Sequence, residues 1–238
     1  MTEVDLMRRY PRAKRKLDKP RSSDPENVRK AREFGEAYFD GRREEGYGGY
    51  RYDGRWIPIA EDIVNHFGLK AGDKVLDVGC AKGFLMKDLK TVCPGLQVYG
   101  LDISDYALRH AEPEAHGRLV LGSGDSLPYA DGAFDLVVSI NTLHNFERPR
   151  LIAALREMER LAPGRGYVQV DAYRNEAERE HFLGWVLTAL TFLKPDEWRA
   201  LFAEAGYRGD YCWTILEMDP EWNDFGDAGE AEACVGAR

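Results

Sequence analysis

A short loop of small residues, 77–83, follows the first apolar run of the sequence and feeds a helix-like segment. Glycines in such a loop let a ligand lie against the backbone, and the N-terminus of a helix offers free N–H groups. Asp102 closes the second apolar run, 23 positions after Gly79, where a carboxylate can accept both hydroxyls of an adenosine ribose. The pattern predicts a nucleoside ligand. It disfavours a dinucleotide, because Ala81 and Phe84 stand at the second and third glycine positions of Gly-x-Gly-x-x-Gly.

Residues able to move a proton follow the apolar runs 134–140 and 166–171. His144 has a pKa range suited to accepting a proton near neutral pH, and Asp171 and Tyr173 add a carboxylate and a phenol. Because the carboxyl ends of strands form the ligand crevice of an open α/β sheet, we expect all three as catalytic residues, with His144 the first candidate base. A structural hydrogen bond for His144 and helix capping for Asp171 are the alternatives.

A sheet must position these side chains, because short apolar runs alternate with helix-like segments along the body of the chain. The runs cover residues 74–78, 97–101, 118–121, 134–140 and 166–171. Parallel strands need crossover connections, and continuously apolar strands are typical of sheets covered by helices on both faces. We predict an α/β fold with a doubly wound, mostly parallel sheet, and we expect a last strand over residues 211–218 that enters antiparallel.

Three segments in order resemble the motifs of class I S-adenosylmethionine-dependent methyltransferases. They are residues 75–83, 100–104 and 127–137. The resemblance covers about residues 57–218 and implies a Rossmann-like fold, S-adenosylmethionine as cofactor and methyl transfer as the activity. Taken whole, the sequence is also similar to little-characterised bacterial methyltransferases associated with surface-polysaccharide and sugar-nucleotide pathways.

The resemblance implies roles for individual residues. It assigns the methionine part of the cofactor to the loop, the ribose to Asp102 and the adenine face to Ile103. Ala81 stands where the family usually has glycine, and a slightly shifted backbone would absorb the extra methyl group. The loop residues counted as cofactor-binding are Asp77, Gly79, Cys80, Ala81 and Gly83.

The edge of the adenine falls to the segment before Leu127-Pro128. The family often has an acid four residues before this pair, where the chain has Ser123. We expect Ser123 and the backbone of Gly124 to contact the adenine edge with Asp125 nearby, and a loop shift of two residues would exchange the roles of the two side chains. Asn141, directly after the fourth run, is also predicted to bind the cofactor.

The chain divides by composition into a basic leader, a helix with a Gly/Tyr-rich lid, a methyltransferase domain and an acidic tail. These parts span residues 1–24, 25–56, 57–218 and 219–238. We predict that the lid closes over cofactor and substrate, with Tyr52 or Arg55 reaching the cofactor carboxylate. A surface loop pinned by its aromatic rings is the alternative. The leader is either a solvated tail or a site where Tyr10 and the nearby arginines and lysines bind a phosphate or carboxylate of the substrate.

Bulk composition bounds the class of protein. The 238 residues are 44% hydrophobic and 31% charged, with a net charge of −8 and a pI near 5.3. The acidity argues against broad binding to nucleic acid, and the sequence contains no apolar run long enough to span a bilayer. The four cysteines are scattered and no metal-ligand spacing appears, so we expect free thiols, no metal and a cytoplasmic protein.

The function expected is methyl transfer to an O or N atom of a small polar metabolite, with sugars and phosphate-bearing compounds as candidates. An RNA or protein acceptor, an NAD-dependent oxidoreductase and a non-catalytic cofactor-binding module are the alternatives. The sequence leaves the acceptor atom and the oligomeric state open.

Overall fold

The computed structural model describes residues 1–11 and 21–215. Six strands form one sheet: β1 (Lys74–Val78), β2 (Gln97–Asp102), β3 (Leu119–Leu121), β4 (Leu136–Ile140), β5 (Gly166–Ala172) and β6 (Asp210–Ile215). The α-helices are α1 (Pro25–Arg32), α2 (Glu36–Phe39), α3 (Ile57–Phe67), α4 (Phe84–Val92), α5 (Asp105–Arg109), α6 (Arg148–Leu161), α7 (Glu176–Trp185) and α8 (Pro195–Ala205). The basic side chains of residues 12–20, the expected acidic tail and residues 216–218 of the expected last strand lie outside the described residues.

The strand order is β3-β2-β1-β4-β5-β6, which confirms the doubly wound sheet. The order reverses between β1 and β4, so the loops after these two strands diverge and leave a crevice at the carboxyl edge. The first five strands pair in parallel. The sheet therefore places the ends of β1, β2, β4 and β5 along one edge.

The last strand corrects one prediction. Strand β6 runs parallel to β5, with Tyr167 opposite Asp210 and Ala172 opposite Ile215, so the expected antiparallel entry is wrong. Helix α8 explains the direction, because it occupies the connection between β5 and β6 and returns the chain to the amino edge of the sheet. Pro195 opens this helix, and Gly206 ends it in the left-handed region with φ of 75°.

Apolar side chains cover both faces of the sheet, as the continuously apolar strands predicted. Helices α6 and α8 bury Leu155 and Trp198 against one face. Helices α3 and α4 bury Ile63 and Met86 against the other. The hydrophobic effect of these two layers fixes the sheet, and the loops at its carboxyl edge are left to carry the site.

Residues 1–11 pack against this body. Glu3 pairs with Tyr211 at the outer edge of β6, and the side chain of Leu6 is buried. The guanidinium of Arg9 donates to both carboxylate oxygens of Asp62 on α3, at 3.0 and 2.8 Å. These contacts bring Tyr10 to the mouth of the site.

None of the described helices combines the length and hydropathy needed to cross a membrane. Within residues 1–11 and 21–215, no three His, Cys, Asp or Glu side chains cluster as metal ligands would.

Candidate cofactor and catalytic site

The loop after β1 turns sharply through three residues in the left-handed region. Gly79, Ala81 and Gly83 have φ of 87°, 48° and 74°. A Cβ at Gly79 would lie 2.0 Å from Oγ1 of Thr142, so glycine is required where the loops after β1 and β4 touch. Ala81 adopts a backbone that favours glycine, at a cost of about 1 kcal/mol. This explains why a glycine is usual at that position, and the loop keeps its shape despite the substitution.

Asp102, predicted to bind the ribose, is hydrogen-bonded to the same loop. Its Oδ2 accepts a hydrogen bond from the backbone N–H of Ala81 at 2.7 Å, and its Oδ1 accepts from the N–H of Ser104 at 2.8 Å. Burial raises the pKa of Asp102, although these backbone hydrogen bonds oppose the shift. The carboxylate is held rigidly at the end of β2, and each oxygen keeps a lone pair for a ribose hydroxyl.

Asp77 is the unusual carboxylate of the site. Its side chain is 4% exposed, and no hydrogen bond from a described residue contributes to its pKa shift. Burial, and secondarily the charge of Asp102, raise its pKa from 3.8 to about 7. An ionised carboxylate in such a place favours a cationic partner, because nothing in the described chain compensates its charge.

A cavity lies between the loop and the N-terminal part of the chain. The loops after β1 and β4 contribute Asp77, Gly79, Cys80, Ala81, Asn141 and Thr142. Four aromatic residues contribute to the same lining, Tyr10, Tyr47, Tyr50 and Trp56. The structure thus brings most of the predicted loop residues together with Asn141, and it covers them with the segment predicted to be a lid. Asn141 has φ of 55° and, like Ala81, adopts a backbone rare for a side chain-bearing residue.

An ion pair fastens the lid to the cofactor loop. The buried Nζ of Lys82 donates to both carboxylate oxygens of Asp40, at 2.6 and 2.8 Å, and to the carbonyl of Tyr50 at 3.0 Å. Tyr106 also donates to Asp40, and the ring of Tyr50 stacks on Phe84 at 4.6 Å. Burial alone would raise the pKa of Asp40, but the hydrogen bonds from Lys82 and Tyr106 outweigh it and lower the pKa.

Replacing Lys82 with methionine tests whether this ion pair holds the lid. The variant leaves the Asp40 carboxylate, whose side chain is 27% exposed, without its cation, so we expect a loss of about 1 kcal/mol in the free energy of unfolding. Limited proteolysis within residues 41–49 should become several-fold faster. Lys90→Met on α4 is the matched control, because its Nζ contacts the carbonyl of Glu114 away from the lid. Equal cleavage rates in the two variants would mean that the ion pair does not hold the lid.

Tyr52 and Arg55 lie outside the lining of this cavity. The hydroxyl of Tyr52 donates to Asp88 on α4 at 2.6 Å, and Arg55 pairs with Asp53 two residues earlier. The predicted reach of either side chain to the cofactor carboxylate therefore requires a rearrangement of the lid. The sequence leaves Tyr10 either in a solvated tail or in a substrate-binding leader, and the structure places its ring in the lining of the cavity.

The predicted adenine side is organised by a residue that the sequence did not single out. Arg150 of α6 donates to both carboxylate oxygens of Asp125, at 2.6 and 3.0 Å, and to Oγ of Ser123 at 3.0 Å. This hydrogen bonding lowers the pKa of Asp125. A Cβ at Gly124 would lie 2.9 Å from Val78, so the loop passes close to the end of β1. Ile103 is 56% exposed and available to a flat ring.

His144 and Asp171 meet at the carboxyl edge of β5. The backbone N–H of Asp171 donates to Nδ1 of His144 at 3.1 Å, and Nε2 of His144 lies 3.7 Å from Oδ2 of Asp171. Both side chains are buried, and Tyr173 packs against Phe192 with ring centroids 4.9 Å apart. A backbone N–H can only donate, so Nδ1 accepts and the imidazole proton resides on Nε2.

A hydrogen bond connects this edge to the cavity. The N–H of Asn141, a lining residue, donates to Oε1 of Gln169 at 2.9 Å. Side chains alternate along a strand, so Asp171 lies on the same face of β5 as Gln169. His144 and Asp171 therefore lie at the carboxyl edge near Asn141, and none of the three predicted catalytic residues lines the cavity itself.

Known proteins with similar sequences are methyltransferases. Residues 76–170 match the family described as methyltransferase domain. The 27-O-demethylrifamycin SV methyltransferase of Amycolatopsis mediterranei is 32% identical over 180 residues, which are 69% of this chain and 65% of that protein. The malonyl-[acyl-carrier protein] O-methyltransferase of Legionella pneumophila is 36% identical over 75 residues, 30% of this chain and 26% of that protein.

Among solved structures, the fold is similar to a chain in the complex between the Haloferax volcanii Trm112 methyltransferase activator and a candidate methyltransferase. The TM-score is 0.50 at 24% identity, and the match covers 62% of this chain and 66% of that chain. The chain thus spans less than two thirds of the length of each of these relatives.

Proposed function

We propose that this protein, whose residues 76–170 form a methyltransferase domain that uses S-adenosylmethionine, methylates an oxygen or nitrogen atom of a small polar metabolite. The observation that supports it best is the arrangement at the carboxyl edge of β1 and β2. There the left-handed loop and the buried Asp77 line one cavity, and Asp102 is hydrogen-bonded to that loop at Ala81. A loop, a carboxylate for an ammonium group and a carboxylate for a ribose together fit an adenosine that carries an amino acid.

Different residues of the chain would bind different parts of the cofactor. When bound, the cofactor supplies a methyl group on a positively charged sulfur. Asp77 would bind the ammonium group of the methionine part, and Asp102 the ribose hydroxyls. The Arg150–Asp125 pair would hold Ser123 at the adenine edge. Alignment of the acceptor is the largest expected contribution to the rate, because a displacement requires nucleophile, methyl and sulfur in line.

An oxygen or nitrogen acceptor fits the rim of the site. Such an atom loses a proton as it is methylated, and His144, Asp171 and Tyr173 provide a group able to take or direct that proton. Two relatives named above are an O-methyltransferase and a methyltransferase of a 27-O-demethyl compound, and both names support an oxygen acceptor. The acceptors in these two names differ widely, so the methyltransferase domain that the relatives share with this chain does not identify the acceptor.

A sugar or phosphate-bearing acceptor is our proposal within the class of small polar metabolites. The resemblance to proteins of surface-polysaccharide and sugar-nucleotide pathways supports it, and so do the basic residues of the leader. An RNA or protein acceptor is the second candidate, and the net charge of −8 disfavours RNA. We also propose a cytoplasmic location, because Cys80, Cys93 and Cys212 are free thiols, as is usual in a reducing compartment.

Calorimetry with S-adenosylmethionine and with NAD tests the cofactor, and a labelled methyl donor tests the acceptor. We expect saturable binding of S-adenosylmethionine and no binding of NAD. The purified protein is then incubated with labelled S-adenosylmethionine and either a small-molecule extract, total RNA or total protein. Label in the small-molecule fraction supports the proposal, and label in RNA or protein transfers it to the second candidate. Failure to bind S-adenosylmethionine, or binding of NAD alone, would overturn the cofactor assignment.

A further inference from the structure

Four aromatic rings form one wall of the cavity, and they come from two separate parts of the chain. Tyr10 belongs to the N-terminal residues, whereas Tyr47, Tyr50 and Trp56 belong to the lid. Tyr10 and Trp56 meet edge to face with ring centroids 5.0 Å apart, and Tyr47 and Tyr50 are 4.4 Å apart. Each pair braces its own rings, so the wall is a packed surface.

The charge in this cavity is one-sided. Asp77 is the carboxylate among the described lining residues, and that lining contains no lysine or arginine. The nearest cations of the loop and the lid already have partners. Lys82 pairs with Asp40, and Arg55 pairs with Asp53 and lies over the ring of Tyr10, 5.8 Å from its centroid. The faces of aromatic rings carry negative electrostatic potential, so the rings and Asp77 favour a positively charged group between them.

We propose that the rings of Tyr10, Tyr47, Tyr50 and Trp56 bind the sulfonium of S-adenosylmethionine by cation–π interaction, so that the site prefers the methyl donor to its demethylated product. This inference rests on the proposed function. During transfer, a lone pair of the acceptor atom forms the new bond to the methyl carbon. The carbon–sulfur bond breaks with its electrons left on sulfur, and the acceptor proton passes to a base. The sulfur thereby becomes neutral, while the ammonium group that Asp77 would bind is unchanged.

The rings are therefore the part of the site that distinguishes donor from product. Cation–π interactions in desolvated sites correspond to about tenfold in affinity or more. Asp77 attracts the ammonium group present in both molecules, and it adds affinity without this selectivity. A site built in this way releases its product faster than a site that recognises only the common groups.

Three ligands separate the charges in a binding experiment. S-adenosylmethionine carries a sulfonium, S-adenosylhomocysteine a neutral sulfur, and sinefungin a protonated amine at the same position. Calorimetry on the full chain is expected to show that S-adenosylmethionine and sinefungin bind about tenfold more tightly than S-adenosylhomocysteine. All three should bind about 100-fold more weakly, and to a similar degree, in Asp77→Asn.

Paired variants isolate the rings. Tyr10→Leu and Tyr50→Leu remove an aromatic face, whereas Tyr10→Phe and Tyr50→Phe keep it and remove only the hydroxyl. The leucine variants should lose most of the preference for the charged ligands, through weaker binding of S-adenosylmethionine and sinefungin at unchanged affinity for S-adenosylhomocysteine. The phenylalanine variants should keep the preference. Tyr10 is only partly buried, so its pair remains informative if a variant at Tyr50 unfolds.

The outcomes distinguish this inference from the proposed function. Equal affinity of the wild-type protein for the three ligands overturns the inference and leaves the cofactor assignment intact. A preference that survives in both leucine variants overturns it too, because the selectivity then has another source. If none of the three ligands binds, the proposed function fails and the inference fails with it.

Discussion

Replacing Asp77 with asparagine is expected to weaken the binding of S-adenosylmethionine by about 100-fold and to stabilise the unliganded protein. The loss of affinity follows from removing a buried charge that would pair with the cofactor's ammonium group. The gain in stability follows because burial raises the pKa of the Asp77 carboxyl group, so its ionisation opposes folding. Calorimetry measures the first effect, and thermal or urea unfolding of the unliganded protein measures the second.

The pH dependence of this stability has a definite sign. The pKa of Asp77 is 3.8 when unperturbed and about 7 in the folded protein, so the folded state binds the proton more tightly. Stability therefore falls as the pH rises between these two values, and the penalty is complete above pH about 7. This loss of folding free energy from ionising the buried Asp77 amounts to a few kcal/mol at most. The stability difference between Asp77→Asn and wild type should be small near pH 4 and largest near pH 8.

Cofactor affinity should respond to pH in the opposite sense. Binding of an ammonium group requires Asp77 to be ionised, so the wild-type affinity is expected to rise as the pH increases through about 7. The asparagine variant should lack this rise.

Asp88→Asn is the matched control for both measurements. Asp88 is also a fully buried carboxylate with a raised pKa caused by burial, but it lies on α4 against Tyr52 and outside the cavity. It should leave cofactor affinity unchanged. If Asp77→Asn binds S-adenosylmethionine as tightly as Asp88→Asn does, Asp77 does not bind the ammonium group.

The local pattern of the sequence was enough to predict the inner part of the sheet and the cofactor domain. Strands β1, β2, β4 and β5 are built mainly of apolar residues that need cover on both faces, so their pattern indicates parallel strands with crossovers. The loop after β1 was recognisable because its conformation restricts the residue types allowed. The direction of β6 was predicted wrongly, because it depends on the path of α8 across the sheet, which strand composition does not encode.

Contacts between distant segments account for what the sequence left open in the site. The wall of the cavity combines Tyr10 with Trp56, and only the packing of residues 1–11 on α3 brings these rings together. The sequence favours Tyr52 of the lid as a cofactor contact, yet Tyr50 lines the cavity and Tyr52 does not. The sequence left open which of Ser123 and Asp125 contacts the adenine edge. In the structure Arg150 donates hydrogen bonds to both side chains, so the two belong to one hydrogen-bonded group.

Replacing Asp171 with asparagine is expected to lower kcat by about 10² to 10⁴-fold with little change in cofactor affinity. The sequence favoured His144 as the base, but the geometry favours an exchange of roles. Nδ1 of His144 already accepts the backbone N–H of Asp171 at 3.1 Å, so its Nε2 carries the proton and has no lone pair to offer. Asp171, 3.7 Å from that Nε2, keeps free lone pairs and is the better candidate to take a proton from the acceptor.

His144 then acts as a positioning residue, and a pair of variants separates the roles. His144→Gln should lower kcat by only about tenfold, because it loses the orientation of the Asp171 carboxylate but not the carboxylate itself. Single-turnover rates and substrate KM are measured with the acceptor fraction that takes up labelled methyl groups. If His144→Gln loses as much activity as Asp171→Asn at equal KM, the imidazole is the base. That result would require the hydrogen bond between Asp171 and His144 to break when the acceptor binds, because only then is Nδ1 free to take the proton.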